Sequence, residues 1–225
     1  MSIHLHPVAQ LAPRVLLPGD PGRAMAMAQT LLGPDRLMFN HNRGLWGYSG
    51  TAADGAPLTI QATGVGGPSA AIVFEELIAL GAKWAVRTGT CRALTADVQL
   101  GDLIAATEFV AADGASTVLS ATPPTPTPDL ANRLSADHRG VVLSTDVFYE
   151  PAESDRAGHW REAGVLAVDM ESTALAAVAA RHGIDFASVL LVTAHWTGDA
   201  RLSGEALETG VKRLGESGYQ AVADV

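Results

Sequence analysis

Arginine and glycine recur together in this sequence at the ends of short apolar runs, a pairing suited to holding an anion. The first instance is Val15-Leu-Leu-Pro-Gly-Asp-Pro-Gly-Arg23, where a strand, a tight Gly/Pro turn and a helix start follow one another directly. Asp20 is placed to cap that helix, and Pro21 suits its first turn. Backbone N–H groups of such a turn attract negative charge, and Arg23 adds a planar fork of donors. Taken alone, the segment reads equally as a phosphate site and as a capped helix with a surface arginine.

Four further segments carry chemistry. Asn42-Arg-Gly-Leu-Trp-Gly-Tyr48 sets an arginine at the head of a glycine-punctuated hairpin. Thr63-Gly-Val-Gly-Gly-Pro-Ser69 is a glycine turn after a strand, with Pro68 and Ser69 opening a helix, again a geometry friendly to anions or hydroxyls. Arg87-Thr-Gly-Thr-Cys-Arg92 follows the strand Trp84–Val86 directly, and Val168-Asp-Met-Glu-Ser172 joins an apolar strand to an Ala-rich helix. Glu171 has two readings: a carboxylate that favours the helix N-terminus, or one that accepts two hydroxyls of a sugar with its two oxygens. His4 and His6 are close in sequence, but a chance pairing outranks a metal site, and no metal or cofactor is expected.

The elements that must position these residues alternate. Strands are expected at Val15–Leu17, Leu37–Asn40, Leu45–Thr51, Leu58–Thr63, Trp84–Thr88, Leu103–Val110, Val141–Val147, Val165–Val168 and Ser188–Thr193. Helices are expected at Pro21–Leu32, Ser69–Leu80, Asp129–Ala136, Ala152–Ala163, Met170–His182 and Glu205–Val222. The alternation predicts an α/β fold: one domain over residues 1–225, three layers α/β/α, with a central mixed, largely parallel sheet. The tract Ala121-Thr-Pro-Pro-Thr-Pro-Thr-Pro-Asp129 can be neither helix nor central strand and reads as a stiff surface loop. In open α/β sheets ligands bind beyond the carboxyl ends of strands. All the chemical segments except the hairpin lie there.

Composition bounds the function. At 225 residues and 48% hydrophobic, the chain can bury a large core. Only 17% of residues are charged, so much of the surface is expected to be buried in the fold or between subunits. The net charge of −9 (15 basic, 24 acidic) argues against nucleic acid as a partner but leaves room for a small anion held by clustered arginines. One cysteine, Cys91, permits no internal disulfide and points to the cytoplasm. No signal peptide and no membrane-spanning run are expected.

As an ordered set, Pro18-Gly-Asp-Pro-Gly-Arg23, Arg43-Gly44, Gly64-Val-Gly-Gly-Pro-Ser69, Arg87-Thr-Gly-Thr90 and Met170-Glu-Ser172 resemble the nucleoside phosphorylase family of the hexameric purine nucleoside phosphorylase and uridine phosphorylase type. The resemblance runs from about Ile3 to Glu205. It implies phosphorolysis of a nucleoside to free base and ribose 1-phosphate, with phosphate as co-substrate. Gly19, Arg23, Arg87 and Thr90 match phosphate-binding positions, and Arg43 matches an arginine that a neighbouring subunit inserts into the same site. His4 resembles a histidine that crosses a dimer interface to the ribose 5′-hydroxyl. Met170 and Glu171 match the ribose clamp, with Asp169 beside them. Val65 replaces a methionine often found between the glycines, and Phe148 matches an aromatic residue packing on the base. The implied partners are a small-molecule nucleoside and phosphate, with no nucleic acid and no membrane. The implied assembly is a homohexamer, a trimer of dimers.

The base-binding end departs from that family. Purine-cleaving members carry a Ser-Asp pair whose aspartate protonates the leaving purine; here Thr193 and Ala194 take those positions. His195 and Asp199 are the nearby groups that could substitute, and His195 can donate a proton near neutral pH. Arg92 stands where the family usually has glycine. In uridine phosphorylases a glutamine and an arginine after Phe-Tyr read the pyrimidine; Glu150–Arg156 has no glutamine, although Arg156 can mimic the arginine. Two other readings compete with phosphorolysis: a hydrolytic nucleosidase on the same fold, and a nucleoside-binding protein that has lost turnover.

Overall fold

A computed structural model of the chain describes residues 2–150, 155–223 and 225. The strand β1 (Arg14–Leu17) shows how the layers arise. Val15 and Leu17 point into one apolar layer with Val73, Phe74 and Leu77, whereas Leu16 points into another with Ala24, Met27 and Leu214. A strand sends successive side chains to opposite faces, so an apolar run with both phases buried needs cover on each side. On one face that cover is α2 (Gly67–Ala79), α3 (Gly114–Leu119) and α6 (Ser172–His182). On the other it is α1 (Pro21–Leu31), α4 (Pro128–Arg133) and α7 (Gly204–Val222). The expected three-layer α/β/α arrangement follows.

The remaining strands are β2 (Leu37–Asn40), β3 (Gly47–Thr51), β4 (Pro57–Gln61), β5 (Trp84–Ala93), β6 (Leu103–Ala112), β7 (His138–Thr145), β8 (Val165–Asp169) and β9 (Asp185–His195). They form a nine-stranded sheet in the order β2-β3-β4-β1-β5-β8-β7-β6-β9. β9 then pairs back in parallel with β5 along its whole length, so the last five strands close into a ring. The sheet is mixed: β1 is parallel to β4 and β5, β5 to β9 and β7 to β6 and β8, whereas β2–β3, β3–β4, β5–β8 and β6–β9 are antiparallel.

Several boundaries differ from those read in the sequence. β5 does not end at Thr88; it runs on to Ala93, because Thr90 to Ala93 keep pairing with β9, and Arg92 and Ala93 also pair with β8. α3 was not expected; its Ala/Ser/Thr composition carries little helical signal, and Asp113 caps it by accepting from the Ser116 N–H at 2.7 Å. α6 begins at Ser172, which leaves Met170 and Glu171 outside the helix. Of the helix expected over Ala152–Ala163, residues 152–154 lie outside the described residues, and α5 spans Arg156–Glu162. None of the described helices is long and apolar enough to cross a membrane.

Candidate active site

The ends of β1 and β4 are stitched together where their glycine turns meet. The Thr63 N–H donates to the Pro18 carbonyl and the Gly64 N–H to the Gly19 carbonyl. Gly64 has φ 77°, a left-handed conformation that favours glycine, and a Cβ there would lie 2.4 Å from the Ser69 hydroxyl. Beside this seam lies a cleft of about 510 Å³. Of the predicted site residues, Gly19, Arg23, Arg43, Val65, Arg87, Thr90, Arg92, Phe148, Asp169, Met170 and Glu171 all line it.

Arg87 is the centre of one end. Its side chain folds back along β5 over Gly89, where a Cβ would come within 2.6 Å of the guanidinium carbon. It is 2% exposed. Its Nε donates to Asp169 at 2.8 Å and its Nη2 to Glu171. Asp169 in turn accepts from the Ser144 hydroxyl at 2.6 Å, and from the Ser172 hydroxyl and backbone N–H, which ties the start of α6 to the arginine. Glu171 also accepts from the Gly66 N–H at 2.7 Å. It stands at the N-cap of α6 without a side-chain capping bond, its carboxylate being turned to Arg87 and Gly66 instead.

The arginines and carboxylates of this end strongly perturb one another. Burial opposes the charge on Arg87, but Glu171 and Asp169 outweigh it and hold its pKa above the ordinary value. Burial pushes the Glu171 carboxyl up, and Asp169 adds to that against the pull of Arg87. Arg23 is held below its ordinary value, first by burial and then by repulsion from Arg87, with Asp20 opposing. The Nη1 atoms of Arg23 and Arg87 are both buried and have no acceptor among the described residues. Buried donors are normally satisfied. Two such guanidinium nitrogens in one cleft have donor capacity that oxygen atoms carrying negative charge would satisfy.

Arg43 stands exposed at the rim of this chain's own cleft, on a turn at Asn42–Gly44. Its φ of 58° is the one positive value at a non-glycine among the described residues, a conformation costing on the order of 1–3 kcal/mol. His4 is not in this chain's cleft. Its ring Nδ1 lies 2.8 Å from Glu76 on α2, and the same carboxylate accepts from the backbone N–H groups of Ile3, His4 and Leu5.

The opposite end is built differently. Arg92 lies five residues beyond Arg87 on β5, roughly 16 Å at the rise of an extended strand. Its guanidinium sits between two aromatic rings, 4.8 Å from the centroid of Phe148 and 5.1 Å from that of Trp196. Nη1 donates to the Phe148 carbonyl at 3.0 Å, while the buried Nε has no acceptor among the described residues. Trp196 is braced from behind by Trp160, edge to face at 5.3 Å. Arg201 joins the lining as well: an antiparallel bridge sets it opposite Ala194, and the Leu202 N–H donates to the Thr193 carbonyl.

Sequence reasoning missed Trp196 and Arg201, whose positions depend on how the chain turns back after β9. His195, expected near the leaving group, does not line the cleft. Thr193, Ala194 and Trp196 do, whereas the ring Nε2 of His195 is buried without a hydrogen-bond partner among the described residues.

Comparison with known proteins finds relatives of the whole chain. A family model described as the phosphorylase superfamily matches residues 13–222. A DeoD-type purine nucleoside phosphorylase of Bacillus cereus (strain B4264) is 36% identical over 225 residues, covering 93% of this chain and 94% of that protein. A DeoD-type purine nucleoside phosphorylase of Bacillus mycoides (strain KBAB4) matches with the same identity and coverage. Among solved structures, uridine phosphorylase from Vibrio fischeri ES114, complexed with 6-hydroxy-1-naphthoic acid, superposes with a TM-score of 0.86 at 27% identity, covering 96% of this chain and 93% of that one. Purine nucleoside phosphorylase from Toxoplasma gondii, in complex with immucillin-H, has a TM-score of 0.89 at 22% identity, a likeness of fold.

Proposed function

The chain belongs to the phosphorylase superfamily, and from that premise we propose that it is a nucleoside phosphorylase, a pentosyltransferase that cleaves the N-glycosidic bond with phosphate to give free base and ribose 1-phosphate. The observation that carries this reading is the pair of buried, unpaired Nη1 atoms of Arg23 and Arg87 in the cleft. Phosphate bridging them relieves their mutual repulsion and is held desolvated below the sugar. Gly19 and Thr90 border that position, and Arg43 adds charge at the rim. As the C1′–N bond lengthens, positive charge grows on the sugar; the phosphate stabilises it and then captures the carbon. Glu171 and Met170 hold the sugar, so that binding becomes orientation. Asp169 acts through Arg87, whose fork it fixes.

The whole of residues 1–225 is read as one such domain, working in the cytoplasm as a homohexamer, a trimer of dimers, without a cofactor. His4 reaching a neighbour's ribose, and Arg43 a neighbour's phosphate, belong to the same proposal. Exposed apolar side chains on or beside β4 and α2, namely Ile3, Trp46, Val65 and Ile72, support burial between subunits.

The test is base release from a panel of purine and pyrimidine nucleosides with and without phosphate. Release that requires phosphate is expected; equal rates in both would favour a hydrolase and overturn the proposal. Ala194, which offers no acid to the leaving base, is the observation that favours a binding protein without turnover. Tight nucleoside binding with no release from any nucleoside would decide for it.

A further inference from the structure

The carboxylates lining the cleft are Asp20, Asp169 and Glu171, all at the end where Arg23 and Arg87 lie. At the other end the charged lining residues among those described are Arg92 and Arg201. Arg92 is fixed rather than free: its guanidinium carbon lies over the rings of both Phe148 and Trp196, and the Phe148 carbonyl accepts from its Nη1. A clamped guanidinium is preorganised and presents donors in a set plane. Its Nε is buried without an acceptor. Arg201 is near enough to lower the pKa of Arg92, after burial itself, and backbone bonding on both sides of Thr193 and Ala194 holds it there. Among the described residues this end therefore lines the cleft with no carboxylate, and Arg92 brings positive charge with a buried Nε that meets no acceptor among them, while the exposed Arg201, whose Nη1 donates to the Gly198 and Ala200 carbonyls, adds charge.

Resting on the phosphorylase reading, we propose that Arg92 and Arg201 are the specificity-determining residues of the base end, selecting nucleobases that present carbonyl oxygens and leave as anions. The bond order is conserved without a general acid. A phosphate oxygen bonds to C1′ while the C1′–N bond breaks, and its electron pair stays on the ring nitrogen. From there the charge spreads onto the carbonyl oxygens facing the two guanidinium groups. The departing base takes a proton from water, which balances the proton that hydrogen phosphate sheds on becoming the ester. A base whose edge carries an amino group in place of the carbonyl sets donor against donor, and leaves the Arg92 nitrogens unpaired.

The experiment has two arms. Calorimetry compares uracil, hypoxanthine and xanthine with adenine as free bases. Phosphorolysis at saturating phosphate compares the corresponding nucleosides. The carbonyl-bearing bases are expected to bind, and their nucleosides to react in kcat/KM, about 10- to 100-fold better than the adenine compounds, the weight of one hydrogen bond to a charged group. In Arg92→Met, which keeps an apolar stem between the two rings, both ratios should fall close to one. Arg92→Lys, with the charge but not the fork, should restore part of them. Near-ultraviolet circular dichroism of Trp196 and Trp160 checks that the clamp still folds. Adenine handled as well as the carbonyl-bearing bases, or a ratio unchanged in Arg92→Met, would overturn the inference. Absence of phosphate-dependent release with selective base binding preserved would instead sink the phosphorylase reading alone.

Discussion

At the scale of single residues, the site depends on a side chain that is absent. Arg87 reaches its carboxylates only by lying over Gly89, and a methyl group there meets the guanidinium at 2.6 Å. Gly89→Ala must therefore push Arg87 off Asp169 and Glu171, which strands two buried carboxylates. Breaking a buried pair costs about 3–5 kcal/mol. The expected result is a lower denaturation midpoint together with a loss of about 10²-fold or more in kcat for phosphorolysis; activity within twofold of the parent would refute the packing argument. The motif Arg87-Thr-Gly-Thr was legible as an anion-binding segment, and the glycine was visible in it. That the glycine serves its own arginine was not legible, since the contact depends on the rotamer of a long side chain. His195 shows the converse: its chemistry was suitable, but at the last position of β9 it stays out of the cleft that Thr193, Ala194 and Trp196 line, a placement no sequence spacing announces.

At the scale of elements, one residue of α2 holds the N-terminal segment. Burial alone pushes the Glu76 carboxyl up, but the N–H groups of Leu5, Ile3 and His4 and the His4 ring outweigh it and hold it down at about 2, from an ordinary 4.5. The folded state thus favours the charged form. This stabilisation is fully present above pH 4.5 and drains away as the pH falls toward 2. Asp54, held at about 2 mainly by Arg14, titrates in the same window, so the informative comparison is between variants. Glu76→Gln should lower the urea midpoint at pH 7 and lose less than the parent between pH 4.5 and 2; parallel losses would exclude Glu76 as the anchor. Each expected strand exists, most with shifted bounds, and the Pro-rich tract read as a loop over Ala121–Asp129 has no strand or helix from Ser120 to Thr127 but gives its last two residues, Pro128 and Asp129, to the start of α4. What escaped was local and long-range at once: α3, too short and too poor in helix formers to announce itself, and the pairing of β8 with the end of β5, which joins residues more than 70 positions apart.

At the scale of the whole molecule, low charge density and exposed apolar side chains around α2 have one economical explanation, burial against other copies. Sedimentation equilibrium at micromolar concentration should show no monomer, with a mass consistent with six chains. A monomeric protein that still turns over would remove the cross-subunit roles of His4 and Arg43. A phosphate end and a base end were legible through the family resemblance, but the expected strand stopped at Thr88, and only its extension to Ala93 sets Arg87 and Arg92 on one strand. The character of the second end was not legible, since it is assembled by Trp196 and Arg201 folding back from beyond β9.

The closed ring of β5, β8, β7, β6 and β9 also sets a timetable. β5 is complete at Ala93, but its principal partner begins only at Asp185. At roughly 5–20 residues per second, a ribosome needs on the order of ten seconds to supply the intervening chain. Through that interval the nascent protein carries an apolar strand with an unpaired edge, the kind of surface that recruits chaperones or other nascent chains. Yield in a cell should therefore depend on how quickly the stretch of the message between β5 and β9 is translated, even when the finished enzyme is stable.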